Sequence, residues 1–256
     1  MPHVSYSELK NWYKCPFYHK LTYIDKIRLF QGNEHTAFGS AVHKVCEDLV
    51  LKKADAVVDF KKAFLEELKR LPEDYELRKD LVQAMKKQGP ELVKYVVPAL
   101  KRYFKKFEVI SVEESLMEEV KDFPDKEYNF KGYIDLVLKT ADGRYQVIDW
   151  KTCSWGWDAR KKSDKMMVYQ LIFYKYYLSQ KYDIPPENID VYFGLLKRTT
   201  KNSNKVEFVK VTSGEKRTRN AINFLNKALY NINKKNYIKN RLSCEGCEFK
   251  KTVYCP

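Results

Sequence analysis

The dipeptide Asp142-Gly143 separates two apolar runs, one following Gly132-Tyr133-Ile134-Asp135 and the other reading Tyr145-Gln146-Val147-Ile148-Asp149-Trp150-Lys151. Asp-Gly between such runs is a strong short-range signal for a β-hairpin, and a hairpin dictates which residues face each other. With the turn centred on Asp142, Asp135 lies opposite Asp149, each seven residues from the centre. Directly opposed side chains stand roughly 4.5–5.5 Å apart at Cβ, so two carboxylates there repel each other unless a cation lies between them. Lys151 is two residues beyond Asp149 and projects from the same face. Asp, Asp and Lys together make a poor core and suit a divalent metal ion and a phosphate. A turn centred between Asp142 and Gly143 would set the acids diagonally and weaken the arrangement.

The segments around this hairpin supply further polar candidates. Phe107 to Val120 reads as a strand leading to a turn at Phe123-Pro124-Asp125-Lys126. In it, Val109, Ser111, Glu113 and Ser115 share one face, while Glu114 points the other way. Either glutamate is a candidate acid or a solvated surface residue. A helix is predicted from Ala37 to about Lys52 on its stripe of Val42, Val45, Cys46 and Leu49, and it stacks Gly39 and His43 on one face. The glycine would leave room for another backbone, letting His43 reach past it; taken alone, His43 reads as a histidine with an ordinary hydrogen bond, and the Asp-Asp-Lys hairpin is what gives it weight. Met166 to Tyr182 is predicted as an amphipathic helix with Met167, Gln170, Leu171, Tyr174 and Leu178 on one face. Taken alone, Gln170 and Tyr174 are core residues with polar tips.

Elsewhere the chain is mostly helical. Ser5 and Glu8 fit a capping box that opens a helix ending at Cys15, before Pro16, and Lys20 to Phe30 reads as a short extended piece. Residues 55–107 read as helices broken near Leu71-Pro72 and Gly89-Pro90, with Pro98 kinking or dividing the last of them: a helical insertion packed on, or arched over, the site. Asp190–Leu196 and Lys205–Val211 read as two strands joined by a polar turn, and Ser213 caps a last helix to about Lys234.

Cys244 and Cys247 form a Cys-x-x-Cys pair, with Cys255 seven residues further on and Cys15 the best candidate for a fourth ligand. Four thiolates hold either zinc or an iron–sulfur cluster. Cys46 reads as core, and Cys153 is unassigned. Met1-Pro2-His3-Val4-Ser5 lacks a signal-peptide layout, so an intracellular location with reduced thiols is expected. No apolar run approaches the roughly 20 residues that span a bilayer. The formal net charge of +14 favours a polyanionic partner. The loop from Thr152 to Asp164 interleaves Trp155 and Trp157 with basic residues, which suits single-stranded nucleic acid, although one tryptophan could simply pack in the core.

In sum these residues resemble the RecB-like branch of the PD-(D/E)xK nuclease superfamily, in particular its iron–sulfur members. Gly39 to His43 is similar to that family's Gly-x-x-x-His motif, and Gly132 to Asp135 to its Gly-x-x-Asp. Asp149-Trp150-Lys151 matches Asp/Glu-x-Lys, and Gln170 with Tyr174 matches Gln-x-x-x-Tyr. The resemblance implies an α/β, restriction-endonuclease-like fold: a mixed sheet flanked by helices, over residues 37–52 and 107–212 with the insertion at 55–106. The ends, 1–30 and 234–256, would bind a cluster through Cys15, Cys244, Cys247 and Cys255. It implies a single nuclease domain spanning 1–256, hydrolysing DNA with Mg²⁺ or Mn²⁺ held by His43, Asp135 and Asp149. Lys151, Gln170, Tyr174 and Glu113 would complete the catalytic set. Single-stranded DNA or DNA ends would be the partner, with any helicase or recombination protein on a separate chain. The alternative is a non-catalytic nucleic-acid-binding module of the same fold, and the alternative metal at the cysteines is structural Zn²⁺.

Overall fold

The computed structural model describes residues 2–52, 56–121, 123, 127–201 and 204–256, and side chains at all of these except 56–58. Its centre is a six-stranded mixed sheet of β1 (His3–Ser5), β2 (Phe107–Glu119), β3 (Asn129–Thr140), β4 (Tyr145–Cys153), β5 (Ile189–Lys197) and β6 (Val206–Val211). The strand pair β4–β5 is parallel and β5–β6 antiparallel. β3 pairs along one edge with β2. Its other edge is divided. The first part, Asn129–Lys131, pairs with β1 in parallel, and the last part, Leu136–Lys139, pairs with β4 in antiparallel fashion. Residues 132–135 lie between the two ladders.

One face of the sheet buries Val137, Val147, Val191 and Phe193 against α1 (Tyr6–Lys14), α8 (Lys165–Tyr182) and α9 (Glu215–Asn233). The other face buries Leu136, Leu138, Ile148, Trp150 and Leu196 against α3 (Glu34–Val50), α4 (Ala56–Lys69), α5 (Lys79–Val93) and α6 (Val96–Phe104). Two short helices, α2 (Pro16–His19) and α7 (Ala159–Lys162), complete the set. Among the described residues, no helix is long and apolar enough to cross a membrane.

Several local expectations need correction. Lys20–Ile24 is a π-helical turn following α2, not an extended piece. Gly89-Pro90 lies inside α5, because the missing Cβ lets Phe60 press on the helix; a Cβ there would come within 2.0 Å of its ring. The break falls at Lys94-Tyr95 instead, and Pro98 sits in the first turn of α6, where its missing N–H costs little. The insertion helices pack on α3 and on the sheet face beneath it. Gly214, not Ser213, caps α9. α8 is buried on nearly all sides, from Met166 to Leu178, and is not amphipathic. Pro124, Asp125 and Lys126 of the expected turn, and Asn202 and Ser203 of the later one, lie outside the described residues.

Candidate active site

The hairpin closes with Lys139 paired to Tyr145, and Gly143 takes a positive φ of 83°. Thr140 N–H donates to Arg144 O at 2.9 Å, which leaves Asp142 at the centre of the turn. The ladder runs back to Leu136 opposite Ile148. Continued by one residue, this register sets Asp135 across from Asp149. There the two strands part. Instead of reaching a β3 carbonyl, the Trp150 N–H donates to Asp135 Oδ2 at 2.6 Å. The inward pattern of β3 also slips at this point: Phe130 and Ile134 face the α8 side, while Leu136 and Leu138 face α3. Asp135 sits at the slip, within reach of both layers.

Asp149 is 2% exposed. Its Oδ1 accepts from Gln170 Nε2 at 2.8 Å, and Lys151 Nζ lies 2.6 Å from Oδ2. That ion pair is poorly aligned, so Oδ2 has no hydrogen-bond donor directed at it. Burial and the neighbouring Asp135 push the Asp149 carboxyl up to about 6, against the opposing pull of Lys151 and His43. Gln170 Nε2 also donates to Tyr174 Oη at 3.2 Å, while Gln170 Oε1 is buried without a partner. The Tyr174 ring lies against Gly132: a Cβ there would be 3.0 Å from Tyr174 Cε1 and 3.1 Å from Phe130 Cε1. The glycine of that motif is thus a packing requirement of the tyrosine.

On the opposite side, Asn33 caps α3 and accepts from the His35 and Thr36 N–H groups. His43 Nδ1 lies 3.4 Å from Asp135 Oδ1. Burial disfavours its protonation, but the charges of Asp135 and Asp149 outweigh that and hold its pKa above the ordinary histidine value. Gly39 does not serve as expected. A Cβ on it would meet only Thr152 Oγ1, at an ordinary 3.7 Å.

The structure separates the two β2 glutamates. Ion-paired to Lys181 at 2.6 Å and accepting from Tyr182 Oη, Glu114 is held below the usual carboxylate range in spite of partial burial. Glu113 has a positive φ of 48°, and the irregular register nearby breaks the single face expected for β2. It hydrogen-bonds Glu47 of α3, whose carboxyl is raised to about 8 by burial, by Glu113 and by Asp135. Glu47 was not legible as a candidate, although it lies one helical turn beyond His43 on the same face of α3.

The described residues hold no group of three His, Cys, Asp or Glu side chains drawn together tightly enough for one metal ion. The donor chemistry at the fork nonetheless suits a hard divalent cation: two carboxylates, one with an oxygen lacking an aligned donor, beside a histidine nitrogen. Cys15, Cys244, Cys247 and Cys255 all line one cavity of about 520 Å³. The Asn240 N–H donates to Cys15 Sγ at 3.3 Å. Cys46 is buried in α3, and Cys153 is half-buried at the end of β4. Of the two loop tryptophans, Trp157 packs on Phe193 at 5.0 Å, while Trp155 is 77% exposed.

The family model described as PD-(D/E)XK nuclease superfamily matches residues 3–256. A crystal structure described as a "putative exonuclease" from Eubacterium rectale covers 99% of this chain and 90% of its own, at 14% identity and a TM-score of 0.63. That likeness is one of fold. A second solved structure, SSO0001, aligns over 94% of each chain at 14% identity, with a TM-score of 0.41 on which no weight rests. Comparison with curated proteins gives no match.

Proposed function

This chain belongs to the PD-(D/E)XK nuclease superfamily, and from that premise we propose that it is a divalent-metal-dependent deoxyribonuclease of the RecB-like, iron–sulfur branch, acting as an exonuclease on single-stranded DNA or DNA ends. The observation that carries this reading is the fork between β3 and β4. It sets two buried acids and a lysine beside each other in a chain whose formal net charge is +14. A module that only binds DNA has no use for opposed carboxylates in a basic surround.

Asp135, Asp149 and His43 would hold Mg²⁺ or Mn²⁺, the nitrogen ligand favouring Mn²⁺. Such an ion lowers the pKa of water and polarises a phosphoryl oxygen. The remaining work falls to the side chains. Gln170 pins Asp149 Oδ1 and so fixes the direction in which Oδ2 points. Tyr174 holds Gln170 from below. Lys151, at the mouth of the fork, presents its ammonium to the scissile phosphate and stabilises charge developing there. Glu113 and Glu47 hold one another at the α3 side, where Glu47 is kept protonated near neutrality by burial and by its acidic neighbours.

For the cysteines we favour a structural [4Fe–4S] cluster over zinc. A single zinc ion with Zn–S bonds of about 2.3 Å draws four sulfurs within roughly 4 Å of each other. Four thiols lining one cavity of about 520 Å³ leave room for the larger inorganic core. Unwinding of duplex DNA would fall to a helicase or recombination protein on another chain.

The test is a time course on end-labelled single- and double-stranded DNA with Mg²⁺, Mn²⁺ or a chelator. Asp149→Ala and Lys151→Ala should abolish cleavage while leaving DNA binding in place. Retained cleavage in either purified variant would overturn the assignment.

A further inference from the structure

We propose that the cavity between α1, α8 and α9 is a track for unpaired nucleotides, extending the site along the first helix; the proposal rests on the nuclease reading and narrows its substrate to a single strand. The cavity measures about 710 Å³ and lies on the α8 side of the sheet. Lys165, Arg217 and Lys227 line it, and no Asp or Glu does among the described residues. Its floor is aromatic. The Lys165 ammonium lies 5.8 Å from the ring centroid of Tyr13, 5.4 Å from that of Tyr169 and 5.7 Å from that of Phe224. Tyr13 is 51% exposed, so its ring can be covered by an incoming base. The side-chain amide of Asn220, on the solvent side of α9, can meet a base edge.

Cations gathered along one cavity repel one another, and a polyanion relieves that repulsion. Rings recessed between cations are reached by unpaired bases and not by stacked pairs, which is the chemistry of single-strand grooves. The cavity also connects electrically with the fork. Lys10, on α1 beside Tyr13 and Lys14, loses basicity through burial and through the proximity of Lys151, Lys161 and Lys14, with Asp164 opposing. Lys10 is thus near enough to Lys151 to feel its charge, and stands one helical turn before the cavity residue Tyr13.

The experiment is equilibrium binding of fluorescent oligonucleotides in metal-free buffer, as a function of length and salt, alongside cleavage assays with Mn²⁺. The paired reversal Arg217→Glu with Lys227→Glu should weaken long single strands at least tenfold and flatten the salt dependence of log K by roughly 1–2. Tyr13→Ala should weaken them about tenfold without changing that slope. A matched reversal, Lys101→Glu with Arg102→Glu on α6, should do neither; both residues are exposed across the sheet. Thermal midpoints near wild type establish that each variant folds. Equal losses from the two reversals, undiminished binding in Tyr13→Ala, equal affinity for duplex, or displacement by an acidic polypeptide as readily as by DNA would each overturn the track. If the wild type cleaves while the groove variants bind normally, the track fails and the nuclease stands. If the groove variants lose binding while the wild type never cleaves, the reverse holds.

Discussion

Gln170 donates to Asp149 across 2.8 Å, from a helix on one layer to a strand of the sheet. The bond leaves the other carboxylate oxygen facing the fork. Gln170→Ala should therefore lower metal affinity or turnover by roughly 10–100-fold, the usual penalty for losing the partner of a ligand. Steady-state cleavage rates across a Mn²⁺ titration would show it, and unchanged parameters would remove Gln170 from the site.

Acid should compete with the metal. The Asp149 carboxyl stands at about 6 in the folded, metal-free protein, above its ordinary value of 3.8. Between those values the folded state binds more protons than the unfolded one, so this group's contribution to stability falls as pH rises through that window. Metal binding requires the ionised form. Apparent Mn²⁺ affinity should therefore climb from about pH 5 to pH 7 as Asp149 ionises, and keep rising above that while His43, held above its ordinary value, gives up its proton. Calorimetric titration at several pH values measures this. Asp149→Asn should remove this group's share of the metal-free stability slope and leave that of Glu47.

The two motif glycines should behave oppositely. Gly132→Ala drives a Cβ to 3.0 Å from the Tyr174 ring. A cost of about 1–3 kcal/mol is expected, together with lost activity as Tyr174 and Gln170 shift. Gly39→Ala meets nothing closer than 3.7 Å, inside a helix. It should stabilise by about 0.5–1 kcal/mol. Chemical denaturation of the pair decides both.

Removal of one thiol should loosen the chain ends. Anaerobically purified protein should show broad visible absorbance and bound iron, and Cys15→Ala or Cys255→Ala should lose both along with several degrees of thermal stability, because a structural metal centre contributes its binding energy to folding. A colourless wild type with stoichiometric zinc would overturn the cluster.

The register of the hairpin was legible because an Asp-Gly turn fixes local geometry within a few residues, and the sheet ladder then carries it to Leu136 and Ile148, one residue short of the two aspartates. That Gln170 and Tyr174 share one face of a helix was legible from their spacing, and their bond to one another follows from it, whereas their candidacy for the site came from the family resemblance. What stayed hidden depends on contacts distant in sequence. The slip of β3 at Asp135 arises where β1 and β4 divide one edge, and β1 comes from the far end of the chain. The choice between Glu113 and Glu114 turns on a backbone irregularity and on Lys181, 67 residues away. Glu47 gains its meaning only from a strand that packs across it. Gly89 and Pro90 look like a helix stop until Phe60 is placed against them.

The divided edge of β3 has a temporal consequence. His3 pairs with Asn129, so β1 has no seat until the chain has been made past Asn129. The cysteine cavity needs residue 255 as well as residue 15. Closure over such separations is slow compared with local helix formation. A nascent chain that already carries both aspartates and the lysine would thus still lack the framework that orients them, and the proposed activity would stay silent until Cys255 has been made.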